Sequence, residues 1–417
     1  MTTPTLEELV QDAPLVILLG PGGVGKTTIS SVIALHKAAE GNRSLVLTID
    51  PARRLADALG ISKLTNDPVE VQSFRKMHPS GRLSALMLDP TATFDQMISM
   101  LVSDPERRET LLCNRFYQYL SRGLAGTLEY MAVERLHTLS KSGDYDSIVL
   151  DTPPTTNAVD FLDAPGRLAE FFSKNVTQWF LPSEKQASKS WTMKIFNQAG
   201  SSALSLISRL AGETFADETA QFFQLFADLL GSFRARGLEV GKILRDSDTA
   251  FLIVCSPDPN RLSEAKAIDR RLRESGSKAS GFIVNRVDEA FLPEQEELAR
   301  AAQKAVSLLG GAGEMERVGF FVERLEKLRQ TQQSLSSLHA QAVEDLRAYA
   351  SPRPVYSAPR VPAGQSPRAS LLALYLGLFA ENAEPLDSAA KQASESRGTP
   401  RHGRRATDLR SSEPEED

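Results

Sequence analysis

The sequence contains very little cysteine: two residues, Cys113 and Cys255, among 417. They lie far apart in the chain, so neither a disulfide framework nor a zinc site of clustered cysteines is expected within one chain. The five histidines are scattered and show no metal-ligand spacing. The sequence therefore does not predict a bound zinc ion or an arsenite site made of several thiolates.

An excess of positive charge and long apolar runs are missing as well. The formal net charge is −5, whereas a general affinity for nucleic acid needs a basic surface. The longest apolar run, residues 371–380, is too short to span a bilayer. The first residues, MTTPTLEELVQDAP, include acidic side chains and have no apolar core, so a signal peptide is not expected. We expect a cytoplasmic protein that does not bind nucleic acid.

The most informative stretch is GPGGVGKTT, residues 20–28. Gly20, four further residues and then Gly25-Lys26-Thr27 match the phosphate-loop pattern GxxxxGK[ST]. An apolar run of strand length precedes the motif and a helix-like run follows it, which is the context that the motif requires. Glycines allow backbone N–H groups to converge on phosphate oxygens at the start of a helix. We expect Lys26 to reach the β and γ phosphates of a nucleotide and the Thr27 hydroxyl to bind Mg²⁺.

Apolar runs of strand length recur along the chain and are separated by helical stretches. Most of them are continuous rather than alternating, which is typical of strands in a parallel sheet covered on both faces. The sequence therefore predicts a doubly wound α/β fold with a mostly parallel sheet, of the P-loop nucleotide triphosphatase type. The predicted strands are residues 15–20, 44–50, 83–89, 147–151, 250–256 and 281–285.

Two long stretches, about 93–143 and 160–240, contain no convincing strand and carry apolar residues at helical spacing. We expect them to form a helical subdomain inserted into a domain of residues 1–350. From residue 351 the composition becomes rich in proline, serine and charge, which predicts a disordered tail over 351–417. Within that tail, residues 369–380 are expected to form a short apolar helix, which either docks on the helical subdomain or packs permanently on the core.

Two aspartates and one asparagine each close a predicted strand, at the edge where such sheets bind ligands. Asp50 can orient a water for attack on a γ-phosphate, although an aspartate before a proline is also a common helix cap or turn residue. Asp151 closes the strand 147–151, where an acidic residue downstream of a phosphate loop normally belongs to the magnesium shell. Asn285 has an amide that suits the adenine edge, and an ordinary asparagine in a strand-to-loop turn is an equal alternative.

Four motifs occur in order along the chain: GPGGVGKTT, TIDPARRLADALG, DTPPTTNAVDFLDAP and IVNRV. In their order and spacing they resemble the arsenite-efflux and tail-anchored-protein-targeting ATPases, which are ArsA-like anion-transporting ATPases of the deviant P-loop group. The resemblance covers residues 14–345. It implies an ATP-hydrolysing enzyme that forms a dimer with ATP at the interface, and a helical subdomain that closes with ATP.

The resemblance also implies roles for matching residues. Asp50 matches the hydrolytic aspartate of the first switch, Asp151 the magnesium-associated aspartate, and Asn285 the adenine-binding asparagine. Lys26 and Asp50 are the predicted catalytic residues, and Thr27 and Asp151 are the predicted Mg²⁺ ligands. The predicted ATP-binding residues are Gly20, Gly22, Gly23, Val24, Gly25, Lys26, Thr27, Thr28 and Asn285.

Departures from the family pattern affect the expected dimer. The family's signature lysine at the second loop position is here Pro21, which has neither a charge nor a backbone N–H. DPARR occupies residues 50–54, where the family usually has DPAHN. Either Arg53 or Arg54 supplies the missing charge, or the dimer is mixed, with a lysine-bearing paralogue as donor. The remaining alternative is that Pro21 is a neutral turn residue in a slow homodimer.

The predicted function is an Mg²⁺-dependent, ATP-hydrolysing dimeric switch that couples hydrolysis to the binding and release of a protein partner. An apolar helical client or a membrane protein is the expected partner, and the latter would bring the chain to a membrane peripherally. Three alternatives stay open: the ATPase subunit of an arsenite-type anion efflux pump, a positioning or partitioning ATPase, and an adaptor that binds ATP without turnover. The intact Lys26, Asp50 and Asp151 speak against the adaptor.

Overall fold

The computed structural model describes residues 4–50, 52–78, 80–123, 127–153, 213–226, 229–288, 300, 304, 312–362 and 364–379. Within these residues, no helix is both long enough and apolar enough to cross a membrane.

One eight-stranded sheet, in the order β3-β4-β2-β5-β1-β6-β7-β8, organises the described residues. All neighbouring strands pair in parallel except β3, which runs antiparallel to β4 at one edge. Flanking helices complete the predicted doubly wound α/β fold, which is confirmed. The strands are β1 (Leu15–Leu19), β2 (Arg43–Thr48), β3 (Val69–Glu70), β4 (Arg82–Met87), β5 (Ser147–Asp151), β6 (Thr249–Cys255), β7 (Gly281–Val287) and β8 (Val355–Pro359).

Among the described residues, helices occupy most of the sequence between the strands. N-terminal to β5 they are α1 (Leu6–Gln11), α2 (Lys26–Ala39), α3 (Arg54–Leu59), α4 (Gln72–Met77), α5 (Pro90–Leu101), α6 (Pro105–Cys113), α7 (Arg115–Gly123) and α8 (Thr127–Ser142). C-terminal to β5 they are α9 (Glu213–Phe226), α10 (Leu230–Leu244), α11 (Pro259–Glu274), α12 (Ala312–Ala350) and α13 (Pro367–Phe379).

The central strand β1 is buried along its whole length because helices lie over both of its faces. Successive side chains of a strand point to opposite faces. Leu15, Ile17 and Leu19 belong to a core that also contains side chains of α8, α10, α11 and α12. Val16 and Leu18 point to the other face, where α2 contacts the sheet. This double cover explains the continuous apolar runs of the sequence.

A second hydrophobic core lies among helices alone. It joins α5 to α9, and its buried aromatic residues include Phe94, Tyr117, Phe222 and Phe226. The described residues of 93–143 include helices of α5 to α8 and no strand. Of the other predicted stretch, residues 160–212 lie outside the described residues, whereas α9 and α10 are helical. The limits of the helical subdomain and the domain boundary at residue 350 stay predictions.

The predicted disorder from residue 351 onward is wrong for residues 355–359, which form β8 at the edge of the sheet. This strand pairs in parallel with β7, and Phe282 lies opposite Val355. A proline-rich composition predicts disorder, but an edge strand tolerates proline because it need not donate every backbone hydrogen bond. The burial of Val355 and Ala358 then stabilises the strand.

The predicted apolar helix is present as α13, and residues 380–417 lie outside the described residues. Leu371, Leu374 and Tyr375 are buried, and the Tyr375 ring lies 6.0 Å from the His36 ring of α2. The contact with α2 favours the alternative in which this helix packs on the core.

A buried carboxylate fastens the segment before β8 to helix α11. Asp269 is fully buried, and it accepts hydrogen bonds from Arg353 Nη2 at 3.0 Å, from Tyr349 Oη at 2.9 Å and from Arg273. Burial alone raises the pKa of Asp269, but the hydrogen bonds from two arginines and a tyrosine hold it below its ordinary value. The segment is therefore held by charge as well as by packing.

We expect Asp269→Asn to lower the free energy of unfolding by about 3 kcal/mol at pH 7, because the Arg353 guanidinium loses its charged partner. The folded pKa of Asp269 lies below the unfolded value, so its stabilisation is present above pH 4 and is lost as the pH falls through the folded pKa. The melting temperatures of the variant and the wild type should therefore differ less at pH 3.5 than at pH 7. Asp144→Asn, at an exposed site, is the control. An equal difference at both pH values would contradict the charged role.

Candidate functional site

The phosphate loop connects β1 to α2 and adopts a conformation that only glycine accommodates easily. Gly25 is the N-cap of α2 with φ of 95°, and an added Cβ would collide with the Asn285 side chain. At Gly20, an added Cβ would collide with the carbonyl oxygen of Val254 in β6. The loop therefore lies close against β6 and β7, and a larger residue at either glycine would displace it.

Lys26 is turned back onto its own loop. Its Nζ donates hydrogen bonds to the carbonyl oxygens of Gly20 at 2.8 Å and Pro21 at 2.9 Å. Burial lowers the pKa of Lys26 to about 8, against the opposite effect of Asp151 and Asp50. An anion entering the loop would offer this ammonium stronger, charged acceptors in place of the two carbonyls.

Asp151 lies at the centre of the site and is almost completely buried. Its Oδ2 accepts hydrogen bonds from Thr27 Oγ1 at 2.7 Å and from Thr48 Oγ1 at 2.9 Å. Its Oδ1 is buried, and no group of the described residues forms a hydrogen bond with it. Burial raises the pKa of Asp151 to about 6, although both threonine hydroxyls and the Lys26 charge oppose this shift.

The arrangement around Asp151 fits a magnesium ion. A buried carboxylate oxygen without a partner is costly, and a cation beside it would remove that cost. Mg²⁺ prefers oxygen ligands and usually takes one or two protein groups together with phosphate and water. Thr27 and Asp151 would hold it, as the sequence predicts. Their assignment as ligands remains a prediction.

Asp50 lies just beyond β2, with both carboxylate oxygens engaged. Oδ1 accepts a hydrogen bond from the Ala52 N–H at 2.9 Å, and Oδ2 lies 3.3 Å from Arg54 Nη1. Its own backbone N–H donates to Thr48 Oγ1 at 3.2 Å. Asp50 is therefore a turn residue here, but it is not the cap of α3, because the N-cap is Arg53.

Asn285, at the end of β7, contacts the phosphate loop in this structure. Its Nδ2 donates to the Val24 carbonyl at 2.8 Å, and its Oδ1 accepts from the Arg286 N–H at 2.9 Å. The side chain is buried. The adenine contact implied by the resemblance stays a prediction, whereas the described contact joins β7 to the loop.

The remaining predicted residues are close together at the same edge of the sheet. Gly22, Gly23 and Val24 line a cleft of about 720 Å³, together with residues of α11 and Arg286. Thr28 lies in the first turn of α2, where its N–H donates to the Gly25 carbonyl.

Two further threonines of this site are not predicted by the sequence. Thr48 accepts a hydrogen bond from the Asp50 N–H and donates one to the Asp151 carboxylate. Thr152 donates to the Leu18 carbonyl at 2.6 Å. Their proximity in sequence to Asp50 and Asp151 is a weak signal, because the bonds to Asp151 and to Leu18 join residues far apart in the chain.

A strand, a glycine loop around a lysine, and a helix at the carboxyl edge of a parallel sheet define a P-loop nucleotide triphosphatase fold. A sequence model described as anion-transporting ATPase matches residues 14–307, which is well over half of the chain. The chain belongs to the anion-transporting ATPase family, whose members are ATP-hydrolysing enzymes.

Several relatives named as ATPases are similar to this chain. The ATPase GET3 of Malassezia globosa is 28% identical over 287 residues, which cover 68% of this chain and 76% of the relative. The ATPase ASNA1 homolog of Cryptosporidium parvum is 30% identical over 269 residues, which cover 64% of this chain and 63% of the relative. The ATPase GET3A of Arabidopsis thaliana is 28% identical over 276 residues, which cover 64% of this chain and 65% of the relative. The chain thus spans less than two thirds of the length of the last two.

We expect Asn285→Asp to weaken nucleotide binding by removing the donor that holds the Val24 carbonyl. If the amide acts by positioning the loop, binding of inorganic tripolyphosphate, which has no base, should weaken about tenfold as well. Calorimetric titration with ATP and with tripolyphosphate measures both affinities. Asp67→Asn, at an exposed site, is the control. A loss confined to ATP would instead favour the adenine contact.

Proposed function

We propose that the chain is an Mg²⁺-dependent ATPase that works as a dimeric switch and couples hydrolysis to the binding and release of a protein partner. The observation that carries this proposal is the Asp151 carboxylate. Two hydroxyls, from Thr27 and Thr48, donate to one of its oxygens, and the other is buried and has no hydrogen-bond partner among the described residues.

In the proposed reaction, Lys26 and the backbone N–H groups of the loop hold the β and γ phosphates. Mg²⁺, when bound, neutralises part of the phosphate charge. Asp50 holds the attacking water through a carboxylate oxygen. Because no protein group forms a covalent bond, positioning and electrostatic stabilisation account for the rate.

The proposed active form is a dimer, either of two copies of this chain or of this chain with a lysine-bearing paralogue. Pro21 supports this second possibility because it cannot donate a charge across an interface. The homodimer and the mixed dimer are distinguished by the molecular mass of the wild-type chain in the presence of a non-hydrolysable ATP analogue. The mass is measured for the chain alone and after mixing with such a paralogue.

The proposed partner is an apolar helical client or a membrane protein, bound by the helical subdomain. Support comes from the separate hydrophobic core of α5 to α9 and from the resemblance to the targeting ATPases. The proposed location is the cytoplasm, or a membrane surface reached through the partner.

A second candidate is the ATPase subunit of an anion efflux pump, which the description of the matching family favours. The two cysteines offer little support for a thiolate arsenite site. Cys255 is buried in β6, and burial raises its pKa to about 12, so it is not a ready thiolate donor. Saturable stimulation of ATP turnover by arsenite, abolished by Cys113→Ser, would support this candidate over the first.

We expect Lys26 and Asp50 to have separable effects on the reaction. Lys26→Ala should lower ATP affinity at least about tenfold, because the phosphates lose a charged partner. Asp50→Asn should retain ATP binding and slow phosphate release by about 100-fold, because an amide is a poorer acceptor for the attacking water. Calorimetry gives the affinities and phosphate release gives the rate, with Lys63→Ala at an exposed site as the control. Hydrolysis by Asp50→Asn at the wild-type rate would reduce Asp50 to a turn residue.

A further inference from the structure

The phosphate loop receives an unusual set of charges from its own chain. Pro21 provides neither a cation nor a backbone N–H, and Lys26 is the only cationic side chain within the loop itself. The γ-phosphate of a bound nucleotide carries the charge that changes most on hydrolysis, so a second cation close to it would favour the reaction.

Arg54 is a cation placed next to the predicted catalytic carboxylate. It is the first residue of α3, and its Nη1 lies 3.3 Å from Asp50 Oδ2. Its charge also acts on the Lys26 ammonium, where it opposes protonation, so the guanidinium lies within electrostatic range of the loop. The Arg54 side chain is 64% exposed, whereas that of Asp50 is 14% exposed. Little packing therefore restrains the Arg54 side chain, whereas hydrogen bonds within the turn hold Asp50.

The Asp50–Arg54 ion pair is easy to exchange for a stronger one. An exposed ion pair contributes about 0 to 1 kcal/mol, because water screens it and two side chains must be ordered. A phosphate group carries more charge than a carboxylate and accepts the planar guanidinium at two oxygens. Entry of a γ-phosphate would thus draw Arg54 away from Asp50 Oδ2, and that oxygen would become available to a water.

We propose that Arg54 contacts the γ-phosphate of the nucleotide bound by its own chain and thereby frees Asp50 to hold the attacking water. This inference rests on the proposed function. Arg54 is then a catalytic residue that distinguishes ATP from ADP. It supplies, from the same chain, the positive charge that Pro21 cannot supply. In this proposal, contact with the γ-phosphate replaces the Asp50–Arg54 ion pair.

Two other arginines are the rival sources of this charge. Arg53 is exposed and immediately precedes Arg54, but it is the N-cap of α3 and lies one residue away from the ion pair with Asp50. Arg286 lines the cleft with Gly22 and Gly23, but it belongs to β7, which lies on the other side of β1 from β2. Neither is positioned to couple its own movement to Asp50.

The test compares equilibrium binding of ADP and of a non-hydrolysable ATP analogue to the full chain in the presence of Mg²⁺. For Arg54→Ala we expect about tenfold weaker binding of the analogue, which corresponds to the loss of a charged hydrogen bond, and unchanged binding of ADP. Arg54→Lys should recover part of the lost affinity for the analogue, because lysine restores the positive charge but not the planar guanidinium that binds two oxygens. Arg53→Ala is the matched control and should bind both ligands like the wild type.

Three results would overturn the inference. The first is an equal loss of ADP and analogue binding in Arg54→Ala. The second is a loss of analogue binding in Arg53→Ala or Arg286→Ala while Arg54→Ala binds the analogue like the wild type. The third is unchanged binding in every variant. The binding readout needs no turnover. Wild-type protein that binds ATP without hydrolysing it would contradict the proposed function and the proposed role of Asp50. The affinity ratio would still decide whether Arg54 contacts the γ-phosphate. Failure of the wild type to bind either nucleotide would overturn both.

Discussion

The functional edge of this protein depends on the Asp151 carboxylate, which is held almost entirely out of water. Burying a charge is costly unless it is paired and hydrogen-bonded. Here the hydroxyls of Thr27 and Thr48 approach the same carboxylate oxygen from α2 and β2. Helix α2 and strands β2 and β5 are thereby fixed around one atom. The second oxygen has no hydrogen-bond partner among the described residues, and we propose that it gives this edge an affinity for a cation.

The same contacts connect the parts of the site that would have to respond together. Thr48 contacts both the Asp151 carboxylate and the Asp50 backbone, so a change at the metal position reaches the turn that holds Asp50. Asn285 fixes the opposite side of the phosphate loop from β7. The Arg54 side chain beside Asp50 is largely exposed, in contrast to these buried contacts. In the proposed account, this exposed cation registers the presence of a γ-phosphate.

Much of the fold and part of the site could be predicted from the sequence because their signals are local. The glycine loop, the continuous apolar strands and the position of Asp151 at a strand end are each contained within a few residues. Strand β8 could not be predicted, because its order comes from pairing with β7 and not from its proline-rich composition. The contacts of Thr48 and Asn285 were missed for the same reason, since 103 residues separate Thr48 from Asp151 and 261 separate Asn285 from Val24.

We propose that Asp151 forms, with a nucleotide, the binding site for a divalent cation. Mn²⁺ in place of Mg²⁺ allows a direct measurement by electron paramagnetic resonance, with a non-hydrolysable ATP analogue present. We expect about one bound Mn²⁺ per chain in the wild type and at least tenfold weaker binding in Asp151→Asn, with the melting temperature showing that the variant is folded. Folded Asp151→Asn protein that binds Mn²⁺ as tightly as the wild type would contradict this role of Asp151.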